Sequence, residues 1–102
     1  MENSMVTESR GLSQTEVERL SALCKALGHP VRVQILNHLI SKGVCISGDL
    51  SDLLPLAPST VSEHLRILKV AELVKGTIDG PRRNYCVDEK TLHDFKLNIA
   101  KL

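Results

Sequence analysis

The stretch from Ala57 to Ala71, Ala-Pro-Ser-Thr-Val-Ser-Glu-His-Leu-Arg-Ile-Leu-Lys-Val-Ala, constrains the fold more than any other. Val61, Leu65 and Leu68 recur at i, i+4 and i+7, which is the spacing of one helical stripe. Ser59, Ser62, Glu63 and Arg66 recur at i, i+3, i+4 and i+7 on the opposite stripe. One face must be buried. The other carries short hydroxyls, a carboxylate and a guanidinium, small enough to let a partner come close to the backbone. Pro58 suits the first helical position, where its missing N–H costs nothing. By itself this pattern also fits an ordinary surface helix with a solvated polar face, so the neighbouring segments decide.

Ser13 followed by Glu16 is a capping box, and Val17, Leu20, Cys24 and Leu27 then mark an apolar stripe. This predicts a helix over 13–27, closed by Gly28 as a C-cap. Pro30 opens a second helix running to about Ser41. Its Val31, Val33, Ile35, Leu36, Leu39 and Ile40 cover too much of the surface for an exposed element, so it is expected at the centre of the domain. Lys42-Gly43 breaks it, and Val44-Cys45-Ile46 is a short β-prone run. Ser47 can cap a third helix with Leu50, Leu53 and Leu54 inward, ended by Pro55.

Two short helices joined by a tight turn, the second with a clean polar face, fit a helix-turn-helix. Leu73–Ile78 and Arg82–Val87 flank Asp79-Gly80-Pro81, a hairpin signal with a loop longer than two residues. A last helix over 89–101 places Leu92, Phe95, Ile99 and Leu102 on one stripe. The expected fold is mainly α with some β: a winged helix-turn-helix of five helices and a small antiparallel β-wing. Residues 1–12 are expected to be a flexible N-terminal arm, and residues 13–102 one DNA-binding and dimerisation domain.

Composition narrows the chemistry. Aromatic residues are only 2% of the 102, so the core must be aliphatic and base stacking on aromatic platforms is not the expected mode of nucleic-acid binding. Net charge is +1, which gives no nucleic-acid signature for the whole chain. Between Ser59 and Cys86, however, Arg66, Lys69, Lys75, Arg82 and Arg83 stand against Glu63, Glu72 and Asp79, leaving a local +2. No apolar run approaches a membrane span and no charged-then-apolar segment opens the chain, so a cytoplasmic protein is expected. Three cysteines without an export signal argue for reduced thiols rather than a disulfide framework. The four histidines and three cysteines form no nucleophile–base spacing, and there is no glycine-rich phosphate loop; an enzyme is not expected.

With the motifs placed, the chain resembles the ArsR/SmtB family of bacterial metal-responsive repressors. The resemblance rests on Leu23-Cys24-Lys25-Ala26-Leu27-Gly28-His29-Pro30-Val31-Arg32 and on Ser59-Thr60-Val61-Ser62-Glu63-His64-Leu65. It continues through Leu73-Val74-Lys75-Gly76 and Gly80-Pro81-Arg82-Arg83-Asn84-Tyr85, and spans about residues 16–88. It implies a homodimer built on the first and last helices, with the helix after Pro58 in the major groove of a palindromic operator. It also implies that a ligand or redox event releases the DNA. Surplus apolar surface on both terminal helices supports such a seam, although both stripes could instead pack within the monomer. A winged helix used only for protein contacts is the competing function.

Ser59, Thr60, Ser62 and Glu63 lie on the exposed first turns, which in a recognition helix reach base edges; Glu63 can accept from a cytosine amino group. Arg66 and Lys69, further along, are placed to meet phosphate. Arg82 and Arg83 follow the wing turn, where guanidinium groups can enter a narrow minor groove; a solvated arginine pair is the alternative. Some family members carry a base-reading glutamine where Pro58 stands, a role proline cannot take. His64, next to Leu65 and Leu68 on the wheel, reads as a core-edge histidine held by a hydrogen bond rather than a base contact.

Metal sensors of the family carry Cys-x-Cys on the third helix, or Asp and His residues on the last. Here the first place offers Cys45 with Ser47, and the second offers Asp88 and His93 at another spacing. In the wing, Asn84 and Cys86 stand where some relatives have a second Cys-x-Cys. Strand alternation adds one inference. If Val44 and Ile46 point inward, and if Tyr85 and Val87 do so on the returning strand, then Cys45 and Cys86 share the outer face as cross-strand neighbours. They are then a candidate two-thiol site for As(III) or another soft metal ion, or a reversible disulfide; two unconnected thiols are the alternative. Cys24, on the first apolar stripe, reads as a small hydrophobe of the core or seam.

Overall fold

The computed structural model describes residues 11–48, 50, 54–78 and 83–102. Among them four helices and three strands follow in the order α1 (Gln14–Ala26), α2 (Pro30–Ser41), β1 (Cys45–Ser47), α3 (Pro58–Val70), β2 (Val74–Thr77), β3 (Asn84–Val87) and α4 (Glu89–Ala100). The strands form one antiparallel sheet in the order β1-β3-β2. This is a mostly helical winged helix-turn-helix, with four described helices where the sequence reading expects five. The missing one, with Leu53, rests largely on residues 49 and 51–53, which lie outside the described residues, as do the arm over 1–10 and the wing turn over 79–82. Ser47 is not a helix cap: it pairs with Asn84 as the last residue of β1.

Local chemistry sets the helix ends. The Ser13 hydroxyl accepts from the Glu16 N–H, and the Glu16 carboxylate accepts from the Ser13 N–H, which completes the capping box. The chain leaves α1 through Leu27 at the C-cap, one residue before Gly28. His29 caps α2, its Nδ1 accepting from the Val31 N–H at 3.1 Å. α3 has no side-chain cap; Ala57 precedes it in extended conformation and Pro58 supplies the pre-set first turn. Asp88 caps α4 by accepting from the Thr91 N–H, and that bond holds its carboxyl below the usual carboxylate range.

The core is aliphatic around a single aromatic ring. Ile35 and Leu39 of α2, Val61, Leu65 and Leu68 of α3, and Leu73, Val74, Tyr85 and Val87 of the sheet region are buried in one cluster with Leu23 and Leu50. The Tyr85 ring is fully enclosed, and its hydroxyl donates to the Gly48 carbonyl at 3.0 Å. In β2, Gly76 has φ 116°, and a Cβ there would run into the Asn84 carbonyl across the ladder. A side-chain-free rung therefore lets the two wing strands close.

Two apolar stripes are less enclosed than their periodicity implies. On α2, Ile35, Leu36 and Leu39 are buried, whereas Val33 and Ile40 are exposed. On α1, Leu20, Leu23 and Ala26 face the core, so Cys24 is turned outward as an exposed free thiol. The reason is geometric: one helix face can meet the core, and Leu23 occupies the place that the stripe through Cys24 competes for. α4 has no fully buried residue, although Leu92 and Phe95 lean on the core.

Removing the Tyr85 hydroxyl and emptying part of the core should differ clearly in cost. Tyr85→Phe deletes one hydrogen bond and should lower unfolding free energy by about 1 kcal/mol. Leu68→Ala should cost about 2–5 kcal/mol, because it opens a cavity under the last turn of α3, where Leu68 is fully buried. Urea unfolding followed by circular dichroism measures both, and equal losses would contradict this account of the core.

Candidate DNA-binding surface

The buried stripe of α3 decides which residues remain outside. Val61, Leu65 and Leu68 are enclosed, so Ser59, Thr60, Glu63, Arg66 and Lys69 are exposed. Ser62 is half-buried, turned toward the protein flank of the helix more than the wheel suggests. Of the wing arginines, Arg83 is half-buried at the root of β3, and Arg82 lies outside the described residues. The exposed groups on α3 thus run from hydroxyls at the N-terminal turn to cations further along.

The charged members are already engaged. The Arg66 guanidinium donates to the Glu63 carboxylate one turn away, at 2.5 Å. Lys69 donates through Nζ to the Gly76 carbonyl at 2.6 Å, which joins α3 to the first wing strand. The i, i+3 spacing brings the first pair together on the helix surface, whereas periodicity gives no sign of the second contact, because it is tertiary. Both are exposed, and an exposed ion pair contributes only about 0–1 kcal/mol. A phosphate or base edge can therefore exchange with either partner at small cost.

Behind the helix, Arg32 of α2 holds three elements together. Its Nε donates to the Ala26 carbonyl at the end of α1 at 2.5 Å, and its Nη1 lies 3.2 Å from Nδ1 of His64 on α3. Arginine stays protonated, so it is the donor and His64 Nδ1 the acceptor, which leaves the His64 proton on Nε2. The His29 ring packs on His64 with centroids 4.5 Å apart. His64 is thus a core-edge residue that orients α3. At the far end of the helix, Arg19 of α1 pairs with Glu72 at 2.7 Å, in the turn leading to β2.

Burial holds His64 below its ordinary value of 6.5, the neighbouring His29 and Arg32 lower it further, and Glu63 opposes them. In the window from 6.5 down to the depressed value, the unfolded chain binds more protons than the folded one. The stability associated with His64 is therefore complete above the ordinary value and is lost as pH falls through that window. Urea midpoints should decline as pH falls through and below the ordinary histidine value of 6.5, and decline less in His64→Gln. Equal slopes in the two proteins would remove His64 from this role.

The described helices include none long and apolar enough to cross a membrane. The profile described as "Bacterial regulatory protein, arsR family" matches residues 29–75, from the cap of α2 through α3 to the start of the wing. The uncharacterized HTH-type transcriptional regulator MJ1325 of Methanocaldococcus jannaschii is 35% identical over 82 residues, 78% of this chain and 91% of that one. The HTH-type transcriptional regulator CmtR of Mycobacterium tuberculosis is 38% identical over 73 residues, 72% of this chain but 61% of that longer relative. Its NMR structure, described as that of a cadmium metal-sensor, superposes with a TM-score of 0.56 at 37% identity, covering 72% of this chain and 76% of that one. A crystal structure of an ArsR family transcriptional regulator superposes with a TM-score of 0.70, covering 83% of this chain and 87% of that one; at 20% identity it speaks for the fold alone. With an exposed polar face on α3, an Arg32 strut behind it and a wing beside it, the chain belongs to the arsR family of bacterial regulatory proteins and is a DNA-binding transcriptional regulator.

Proposed function

We propose that the chain acts in the cytoplasm as a homodimeric repressor that reads a palindromic operator with α3. The observation that carries this reading is the division of α3 into a fully buried stripe and an exposed first turn bearing Ser59, Thr60 and Glu63. On this reading those hydroxyls and the carboxylate, with Ser62 at the flank, meet base edges in the major groove. Arg66 and Lys69 take phosphates, and Arg82 and Arg83 take the minor groove beside the wing.

The terminal helices supply the support for a dimer. Val17 of α1 and Leu97 and Ile99 of α4 are 45%, 49% and 44% exposed, although each is a large apolar side chain. α1 and α4 touch through the Lys101–Glu16 pair and enclose a groove lined by Arg19, Leu23, Phe95 and Leu97. A second copy would cover this surface, and a two-fold pair of recognition helices calls for a two-fold operator.

Selection from a random duplex library, followed by gel-shift titration, tests the reading. The recovered sequence should be a palindrome bound ~10³-fold or more tightly than random DNA, and sedimentation should give a dimer. Ser59→Ala or Thr60→Ala should cost about 1–3 kcal/mol of discrimination at one base position per half-site. Arg66→Ala should weaken all sequences alike and lower the salt slope by about one per protomer. A chain that selects no sequence would be a protein-contact module instead.

A further inference from the structure

α3 carries a negative charge on the face that has least use for one. Glu63 is its only acidic residue and stands on the exposed stripe that begins at Ser59 and continues through Arg66, at i, i+4 and i+7. Its side chain is 61% exposed, and Oε1 accepts from Nη1 of Arg66, itself 48% exposed, at 2.5 Å. An exposed pair of this kind adds little to stability, so the fold does not depend on it. Opposite a duplex, moreover, a carboxylate meets a row of phosphates and is repelled.

The pair has two electrostatic consequences. Arg66 comes to DNA with its charge already balanced, so on a random duplex the pair counts for about one cation fewer than Arg66 alone. Lys69, the other cation of the helix beside the histidine, is tied to the Gly76 carbonyl. The second consequence concerns the base opposite Glu63. Oε1 is on Arg66, and Oε2 is left to accept. In the major groove cytosine offers an amino donor alone, adenine a donor beside an acceptor, and guanine and thymine only acceptors. Oε2 therefore gains a hydrogen bond at cytosine and meets a lone pair at guanine or thymine. A guanidinium has several N–H groups in a fixed fork, so Arg66 can hold Glu63 and a phosphate oxygen together.

We propose that Glu63 is the specificity-determining residue of α3: it reads a cytosine amino group through Oε2, holds Arg66 toward the adjoining phosphate through Oε1, and keeps affinity low for every duplex without that cytosine. The proposal rests on the DNA-binding reading above and names the base and the charge balance behind it. The contacts form a chain in which the cytosine amino group donates to Glu63, and Arg66 donates to both Glu63 and the phosphate. At guanine or thymine the first link is missing, and the carboxylate adds repulsion in place of a bond.

Glu63→Gln tests this, because glutamine keeps the shape, removes the charge and can donate as well as accept. The position is exposed, so circular dichroism should show the fold unchanged. Cys45 and Cys86 face each other on the outer side of β1 and β3, where the rung brings their Cα atoms to 4.0 Å, and they are bonded rather than held as the reduced thiols that the sequence leads one to expect; both proteins are therefore titrated without reductant. Duplexes selected by the native chain should carry cytosine at one position of each half-site. Glu63→Gln should lose discrimination at that position by about 5–150-fold. It should also bind random DNA at least about threefold more tightly at low salt and steepen the salt slope by about one per protomer. Arg66→Ala should keep the cytosine preference, because Arg66 touches no base in this arrangement. A native base preference or a native salt slope in Glu63→Gln would overturn the proposal, as would weaker binding of random DNA by that variant. A selected half-site without any cytosine preference would overturn it too. A native chain that selects no sequence would instead refute the DNA-binding reading, whereas selection without the Glu63→Gln effects refutes this assignment alone.

Discussion

Everything that faces outward on this domain depends on seating the apolar stripe of α3. Val61, Leu65 and Leu68 enter a core built by α2 and the sheet, and no other rotation of the helix buries all three. Three enclosed aliphatic side chains contribute several kcal/mol of burial free energy, at ~1.5–3 kcal/mol each. The Arg66–Glu63 ion pair on the opposite face contributes a fraction of that. Apolar burial therefore sets the helix orientation, and the polar side chains go where it leaves them. The Arg32 bridge to Ala26 and His64 then limits how far the seated helix can rock.

Much of this was legible because the relevant signals are local. The Ser13–Glu16 capping box, the Pro30 and Pro58 helix starts and the alternation around Cys45 and Cys86 each depend on residues a few positions apart, and each describes the geometry observed. What was not legible depends on competition between distant surfaces. Cys24 fits the α1 stripe as well as Leu23 does on a wheel, but the core accepts only the face carrying Leu20, Leu23 and Ala26. Val33 and Ile40 are apolar yet exposed, because α2 meets its neighbours along Ile35, Leu36 and Leu39. Ser47 has the chemistry of a helix cap, but pairing with Asn84 takes it into the sheet.

The candidate site shows the same division. The exposure of Ser59, Thr60, Glu63, Arg66 and Lys69 follows from the period of the buried stripe. The Lys69 contact with Gly76 does not, because it depends on where β2 returns after α3. That contact matters beyond its small energy, since it places a cation of α3 against the wing. The exposed face of α3 and the first wing strand are thus joined through Lys69.

Gly76 shows how much of that surface depends on missing atoms. Its positive φ and the nearby Asn84 carbonyl leave no room for even one methyl group. The position can record no gradual drift: every amino-acid replacement wedges the same rung. In a saturation library this codon should act as an on/off reporter of hairpin closure, while Thr77 next to it, exposed on the same strand, would tolerate wide exchange.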